Sequence, residues 1–205
     1  MSLTSSKTSN SKIIPGFANF GRDFEKIINS DIWSRVQDDF NYASRIHTVG
    51  NGGNLAVCDH GAIDIARLTN KSASAPGSGI LASSLINDVS HDEWVKNWLS
   101  ICLRGLSNDL ISQTMLIGVS SSGYSKNICL ALDLAIEKGC KACLISAKEP
   151  DIIGQYNTVI LGVDEYHTSE VLTLSLFYQL IHGAGFKCPS ISDSTKRDKI
   201  DDYSY

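Results

Sequence analysis

The chain has 205 residues, 42% of them hydrophobic, which suits a single domain of the larger sort with one sizeable core. Its formal net charge of −4 comes from interspersed acids and bases, which argues against an electrostatic grip on nucleic acid or on an acidic membrane surface. No apolar run reaches the roughly 18 residues of a membrane span, and the polar start MSLTSSKTSNSK lacks the apolar stretch of a secretory signal, so the expected location is the cytoplasm.

Residues 1–19 read as a disordered leader, 20–186 as one domain with an N-terminal helix, and 187–205 as a polar tail without a motif. Apolar positions at Phe24, Ile27, Ile28, Ile32, Trp33 and Val36 predict a helix over 24–44. A short strand, 45-RIHTVG-50, runs into the glycine turn 50-GNGGN-54, and a helix follows from about Leu55 to Leu68. The small residues of 71–79 read as a loop and 80-ILAS-83 as a weak strand. Residues 91–105 are expected to be helical, with Trp94, Trp98, Leu99 and Cys102 on one side. The buried strand 114-TMLIGVS-120 leads through the turn 120-SSSGYS-125 into the helix 126–139, which ends on Gly139 as a left-handed cap. Strands at 141–147 and 157–163 and a last helix over 167–182 complete the pattern. Continuous apolar strands alternating with helices are the signature of a parallel sheet covered on both faces, a three-layer α/β/α sandwich. In such sheets ligands bind at the carboxyl ends of the strands, where both unusual turns fall.

Six cysteines are present. Cys58, Cys102 and Cys129 lie in helix-like apolar patterns and read as small core residues. Cys140 and Cys143 form a C-x-x-C that runs into a strand rather than opening a helix, and no second pair exists to complete a zinc site. Packing is the expected role of both.

The two turns carry the chemistry. Ser120, Ser121, Ser122 and Ser125 surround Gly123 between a strand end and a helix start, where unpaired N–H groups attract anions, and a phosphate is the natural guest. The loop is neither a Walker loop, since Lys126 is misplaced for one, nor a dinucleotide fingerprint; the bland alternative is a serine-rich helix cap. The glycines of 50–54 let the backbone approach a ligand closely. On the helix that follows, His60 and Asp64 share a face at i, i+4, a spacing that suits metal binding, acid–base work or a plain surface pair.

With GNGGN, His60 and Asp64 at that spacing, and SSSGYS in this order, the chain resembles the SIS (sugar isomerase) domain family, and within it phosphoheptose isomerase, from about Phe20 to Gly183. The resemblance implies a five-stranded parallel, flavodoxin-like sheet. It implies an aldose–ketose isomerase that converts sedoheptulose 7-phosphate into a manno-heptose 7-phosphate for lipopolysaccharide or capsule, working as a homotetramer with sites between subunits. Ser120, Ser121, Ser122 and Ser125 would hold the phosphate, while Asn51, Gly52, Gly53, Asn54 and Asp88 would line the sugar. Asp64 takes the place of the family's Glu as a catalytic acid or base, one methylene shorter. No cofactor is required, but zinc is an option, held by His60, Asp64 and His167.

The last helix departs from the family pattern of a Gln followed eight residues on by a catalytic His. One register places His167 and Ser175 there, the other Ser169 and Phe177, and neither supplies the histidine. His167 remains the candidate partner of Asp64 in catalysis. Asn54 and Tyr124 also replace the usual Ser and Asn of the two turns. His47, His91 and His182 match no motif and are read as structural. The expected partners are a phosphorylated sugar and further copies of the chain. These departures keep a second reading open, a non-catalytic SIS protein that binds a phosphosugar or a protein, like the initiator-associating relative of the family.

Overall fold

The computed structural model describes residues 13–150 and 154–191. The expected leader begins, and the expected tail ends, outside the described residues. A 3₁₀ turn at Phe17–Asn19 stacks the Phe17 ring on Phe20 and on His167, with centroids 5.8 Å apart in each case.

Five strands form one parallel sheet: β1 (Arg45–Val49), β2 (Ser72–Ser74), β3 (Thr114–Val119), β4 (Lys141–Ser146) and β5 (Asn157–Ile160), in the order β2-β1-β3-β4-β5. All of β3 is buried, because helices cover both faces, and this is why its sequence reads as an unbroken apolar run. Alternate residues feed two cores. Met115, Ile117 and Val119 join one with Ile46, Cys143, Ile145 and Phe177; Leu116 joins the other with Val49, Trp98, Leu132 and Leu144.

The first core lies under α1 (Phe20–Ile28), α2 (Asp31–Tyr42), α3 (Gly53–Leu68) and α8 (Tyr166–Gly183). The second lies under α5 (Trp94–Leu103) and α7 (Lys126–Lys138), with α4 (Gly79–Asp88) packed loosely at its margin. A short α6 (Asn108–Ser112), capped by Ser107, was not anticipated. Gly139 closes α7 in the left-handed conformation, as expected.

Four elements differ from the sequence expectation. The single helix over 24–44 is two, because the Ser30 hydroxyl accepts from Trp33 N–H at 3.2 Å and donates to Ile27 C=O at 2.6 Å, ending one helix and starting the next. Residues 80–83 are helical, not a strand: Leu81, Ala82 and Leu85 recur at helical spacing and face the second core. The edge strand is instead Ser72–Ser74, inside the segment read as a loop. It pairs with Arg45–His47, and the preceding Lys71 secures it by donating to Asn41 C=O at 3.1 Å and Ala43 C=O at 2.5 Å. The last strand also stops at Ile160, because the chain turns at Gly162 (φ +69°).

The C-x-x-C is split by the sheet. Cys143 is fully buried in the first core, while Cys140 lies in the second, and burial pushes the Cys140 thiol up to about 11. Cys58 is core as expected; Cys102 and Cys129 are half-buried at the edges of their helices. Among the described residues no helix is long and apolar enough to cross a membrane.

Candidate functional site

Strands β1 and β3 are neighbours in the sheet, but the chain leaves them towards opposite faces, since α3 covers one side and α7 the other. This is the switch point of a doubly wound sheet, where a crevice opens beyond the strand ends. The glycine turn follows β1 and the serine loop follows β3, so both flank that crevice.

Side chains tie the turns together. Asn51 and Asn127 exchange two hydrogen bonds, at 3.0 and 2.8 Å. Asn54 donates to the Ser121 hydroxyl at 3.1 Å, and that hydroxyl lies 3.1 Å from the Ser169 hydroxyl on α8. Asn127, Ser121 and Ser169 are all buried. Three elements distant in sequence thus share one polar chain beneath the crevice.

The serine hydroxyls are mostly committed to the loop itself. Ser120 donates to the Ser125 hydroxyl at 2.9 Å and accepts from Ser125 N–H at 3.3 Å. Ser121 is engaged as described above, and Ser122, which is exposed, accepts from Tyr124 N–H. The backbone is less occupied: the N–H groups of Ser121, Ser122, Lys126 and Asn127 donate to no acceptor among the described residues. Lys126 and Asn127 open the 13-residue α7, and Ser121 and Ser122 stand in the loop before it; backbone donors of this kind, more than the hydroxyls, are what the loop can offer an anion. A cleft of about 190 Å³ beside the loop is lined by Ser121, Ser122, Ala147, Lys148, Asp164, Glu165 and Tyr166. A larger cavity, of about 440 Å³, lies at the opposite edge of the sheet, around Asp39, Cys140 and Tyr156, away from both turns.

The second candidate group sits further along α3. His60 Nε2 is 3.1 Å from Asp64 Oδ2, Arg67 donates to Asp64 Oδ1 at 2.8 Å, and the Tyr178 hydroxyl donates to Asp64 Oδ2 at 3.0 Å. Tyr178 also lies 3.1 Å from His60 Nε2. Burial, with the Asp64 carboxylate beside it, raises the Tyr178 hydroxyl pKa and keeps it protonated. Asp64 is buried while His60 is exposed, so the cluster faces outward.

Helices α3 and α8 run side by side in the same direction: Gly53 lies against Glu170, Gly61 against Phe177, and Asp64 against Tyr178. Asp64 therefore lies 11 residues beyond Gly53, or about 16 Å at 1.5 Å per residue. His167 lies 11 residues before Tyr178, by the same rise about 16 Å from the Asp64 cluster, and stacks on Phe17 instead. Within one chain the expected trio of His60, Asp64 and His167 does not assemble. Both Asp64 oxygens are already taken, and among the described residues no three His, Cys, Asp or Glu side chains could hold a metal ion. The residues of one chain therefore do not fit zinc, and no step is derived through it.

Asp88 ends α4 on the surface, exposed. On α8, Ser175 bonds its own helix at Val171 C=O, Ser169 faces the serine loop, and Phe177 fills the core against Gly61. Sequence reasoning missed Asn127, Arg67, Tyr178 and Glu170. Asn127 was open to discovery, standing one residue past the first of a helix that follows an anion-type loop. Arg67 was open to it too, standing three residues past Asp64 on the same helix, whereas Tyr178 and Glu170 depend on how α3 and α8 pack.

No family model matches the chain. The chain is 28% identical over 146 residues to a phosphoheptose isomerase from Syntrophotalea carbinolica, a match covering 68% of this chain and 67% of that protein. Its fold is similar to that of phosphoheptose isomerase from Neisseria gonorrhoeae, with a TM-score of 0.70 at 17% identity, over 82% of this chain and 94% of the other. The enzyme from Francisella tularensis superposes with a TM-score of 0.64 at 12% identity, over 82% and 93%. In sequence the chain is thus similar to phosphoheptose isomerases, and its sandwich with a five-stranded parallel sheet shares its fold with two solved ones.

Proposed function

We propose that the chain is a sugar-phosphate isomerase that interconverts sedoheptulose 7-phosphate and a manno-heptose 7-phosphate, supplying heptose for lipopolysaccharide or capsule in the cytoplasm. One observation carries this reading: the glycine turn and the serine loop meet at the switch point and are joined by Asn51–Asn127 and Asn54–Ser121. A scaffold has no need of unoccupied N–H donors at such a place. The phosphate sits on the N–H groups of Ser121, Ser122, Lys126 and Asn127, with Ser120 and Ser125 holding the loop in shape. The sugar lies along Asn51, Gly52, Gly53 and Asn54. The name of the Syntrophotalea relative supports the substrate class.

Asp64, with His60 and Tyr178, is an acid–base group set about 16 Å along α3 from the glycine turn, further than the carbon chain of a seven-carbon sugar phosphate reaches. In this reading it serves the crevice of a second copy, in a homo-oligomer such as a tetramer. The separation favours shared sites over a chain that works alone, and it leaves His167 outside the chemistry unless a second copy brings it to Asp64.

The test is direct. Purified protein is incubated with sedoheptulose 7-phosphate and the aldoheptose phosphate is followed by NMR. Turnover supports the reading. Binding without turnover favours the non-catalytic alternative, to which the missing histidine of α8 lends weight.

A further inference from the structure

We propose that Glu170 is the base that moves the carbon-bound proton in this reaction, a role that rests on the isomerase reading above. The Glu170 carboxylate lies directly against Gly53, so close that a Cβ at that position would collide with it. It therefore hangs over the turn where the sugar is placed, at the first residue of the 16-residue α3. Its position is fixed from behind, because the preceding residue, Ser169, is buried and bonded to Ser121 of the serine loop. One stretch of α8 thus touches the phosphate loop with one residue and the sugar turn with the next.

The alternative is a carboxylate that merely caps α3. A cap accepts from the first N–H groups of its helix. The N–H groups of Gly52 and Gly53 make no such bond, and Glu170 has neither hydrogen-bond nor ion-pair partner among the described residues, although it is only half-exposed. Asp64, by contrast, is held by Arg67, Tyr178 and His60 at once. Of the two carboxylates, Glu170 has the vacant lone pairs and the shorter path to a sugar anchored in its own chain.

The step balances without any further reagent. The Glu170 carboxylate takes a proton from C1 of the ketose. The C–H electron pair becomes the C1=C2 bond, and the carbonyl pair moves onto O2. The O1 proton passes to O2 through the Asp64 cluster of a second copy, which takes the one proton and returns the other, and the neutral Glu170 carboxyl returns its proton to C2 as C1=O forms. The N–H groups of Gly52 and Gly53 face the charge that develops on the enediolate oxygen, a use of a helix start that needs no rearrangement.

The test uses the full chain and sedoheptulose 7-phosphate in deuterated water, with deuterium entry into the sugar followed by NMR and sugar-phosphate affinity by calorimetry. In Glu170→Gln the exchange and the turnover fall together by about 10²–10⁴-fold, the usual contribution of a positioned acid–base group, while affinity holds. Gly53→Ala, whose backbone angles suit alanine, displaces the carboxylate and lowers exchange as well; added to Glu170→Gln it has little further effect. Exchange that survives in Glu170→Gln but is lost in Asp64→Asn overturns the assignment and leaves the isomerase reading intact. A wild-type chain that turns over no phosphosugar overturns that reading and this assignment with it.

Discussion

Asn51 and Asn127 face each other across the crevice and each donates to the other, so the glycine turn and the serine loop are held at a fixed separation. Asn127 is buried, and its amide has no other partner among the described residues, so the pair is, with Asn54–Ser121, one of the two side-chain links described between the halves of the site. Asn127→Ala leaves the Asn51 amide without its partner and destabilises the fold by about 1–3 kcal/mol, read as a lower urea midpoint. Sugar-phosphate affinity drops with it. An unchanged midpoint would mean that the two turns are held by something else.

The proposed anion site would rest on backbone N–H groups, beside which Ser122 is exposed. Ser122→Asp puts a negative charge where the phosphate belongs and leaves the buried serines untouched. The variant is expected to melt within a degree or two of the wild type yet to lose the thermal protection given by sedoheptulose 7-phosphate. Full protection in this variant would move the phosphate to another part of the crevice.

His47 offers a pH prediction. It is buried on β1, with Nδ1 2.9 Å from the Ser74 hydroxyl, Nε2 without a hydrogen-bond partner among the described residues, and its ring edge-on to Trp98. Burial, helped by the Arg45 charge, lowers its pKa from 6.5 to about 4. The unfolded chain therefore binds the proton first. The stability tied to neutral His47 is complete above pH 6.5 and is lost as pH falls towards 4, amounting to about 3 kcal/mol. Urea unfolding between pH 7 and 4 should show this slope, and His47→Gln should flatten it. An equal slope in the variant would place the titration elsewhere.

The split cysteine pair gives a chemical prediction. Cys140 and Cys143 open onto opposite faces of the sheet, and both thiols are raised by burial. Oxidation of the folded protein should form no bond between them, and alkylation at neutral pH should mark the exposed Cys188 first. Mass spectrometry of the labelled peptides decides it; early loss of the Cys140 thiol would contradict the burial argument.

The architecture was legible because burial on both faces writes itself into a strand as an apolar run, as in Met115–Val119, and because Gly139 marks a helix end without ambiguity. The edge of the sheet was not. Ser72–Ser74 is only three small residues, too short for its alternation to stand out, and it becomes a strand because Arg45–His47 offers it a ladder. The turns of the site were legible as local chemistry, from glycines and serines at strand ends. What sequence could not convey was the packing of α3 on α8. His167 and Tyr178 are both polar positions of one helix, and only the shared direction of the two helices decides that Tyr178, not His167, reaches Asp64. The same packing sets Glu170 over Gly53, a relation invisible in any spacing rule.

The parallel course of α3 and α8 also makes the protein divisible. If the outward cluster around Asp64 works on a neighbour's crevice, two inactive variants should rescue each other. Asp64→Asn keeps a sound phosphate loop, and Ser122→Asp keeps a sound acid–base cluster. Mixed and reassembled, they form some pairings in which a sound loop meets a sound cluster. Activity should then reappear from proteins that have none apart, and the fraction recovered would count how many neighbours each crevice recruits.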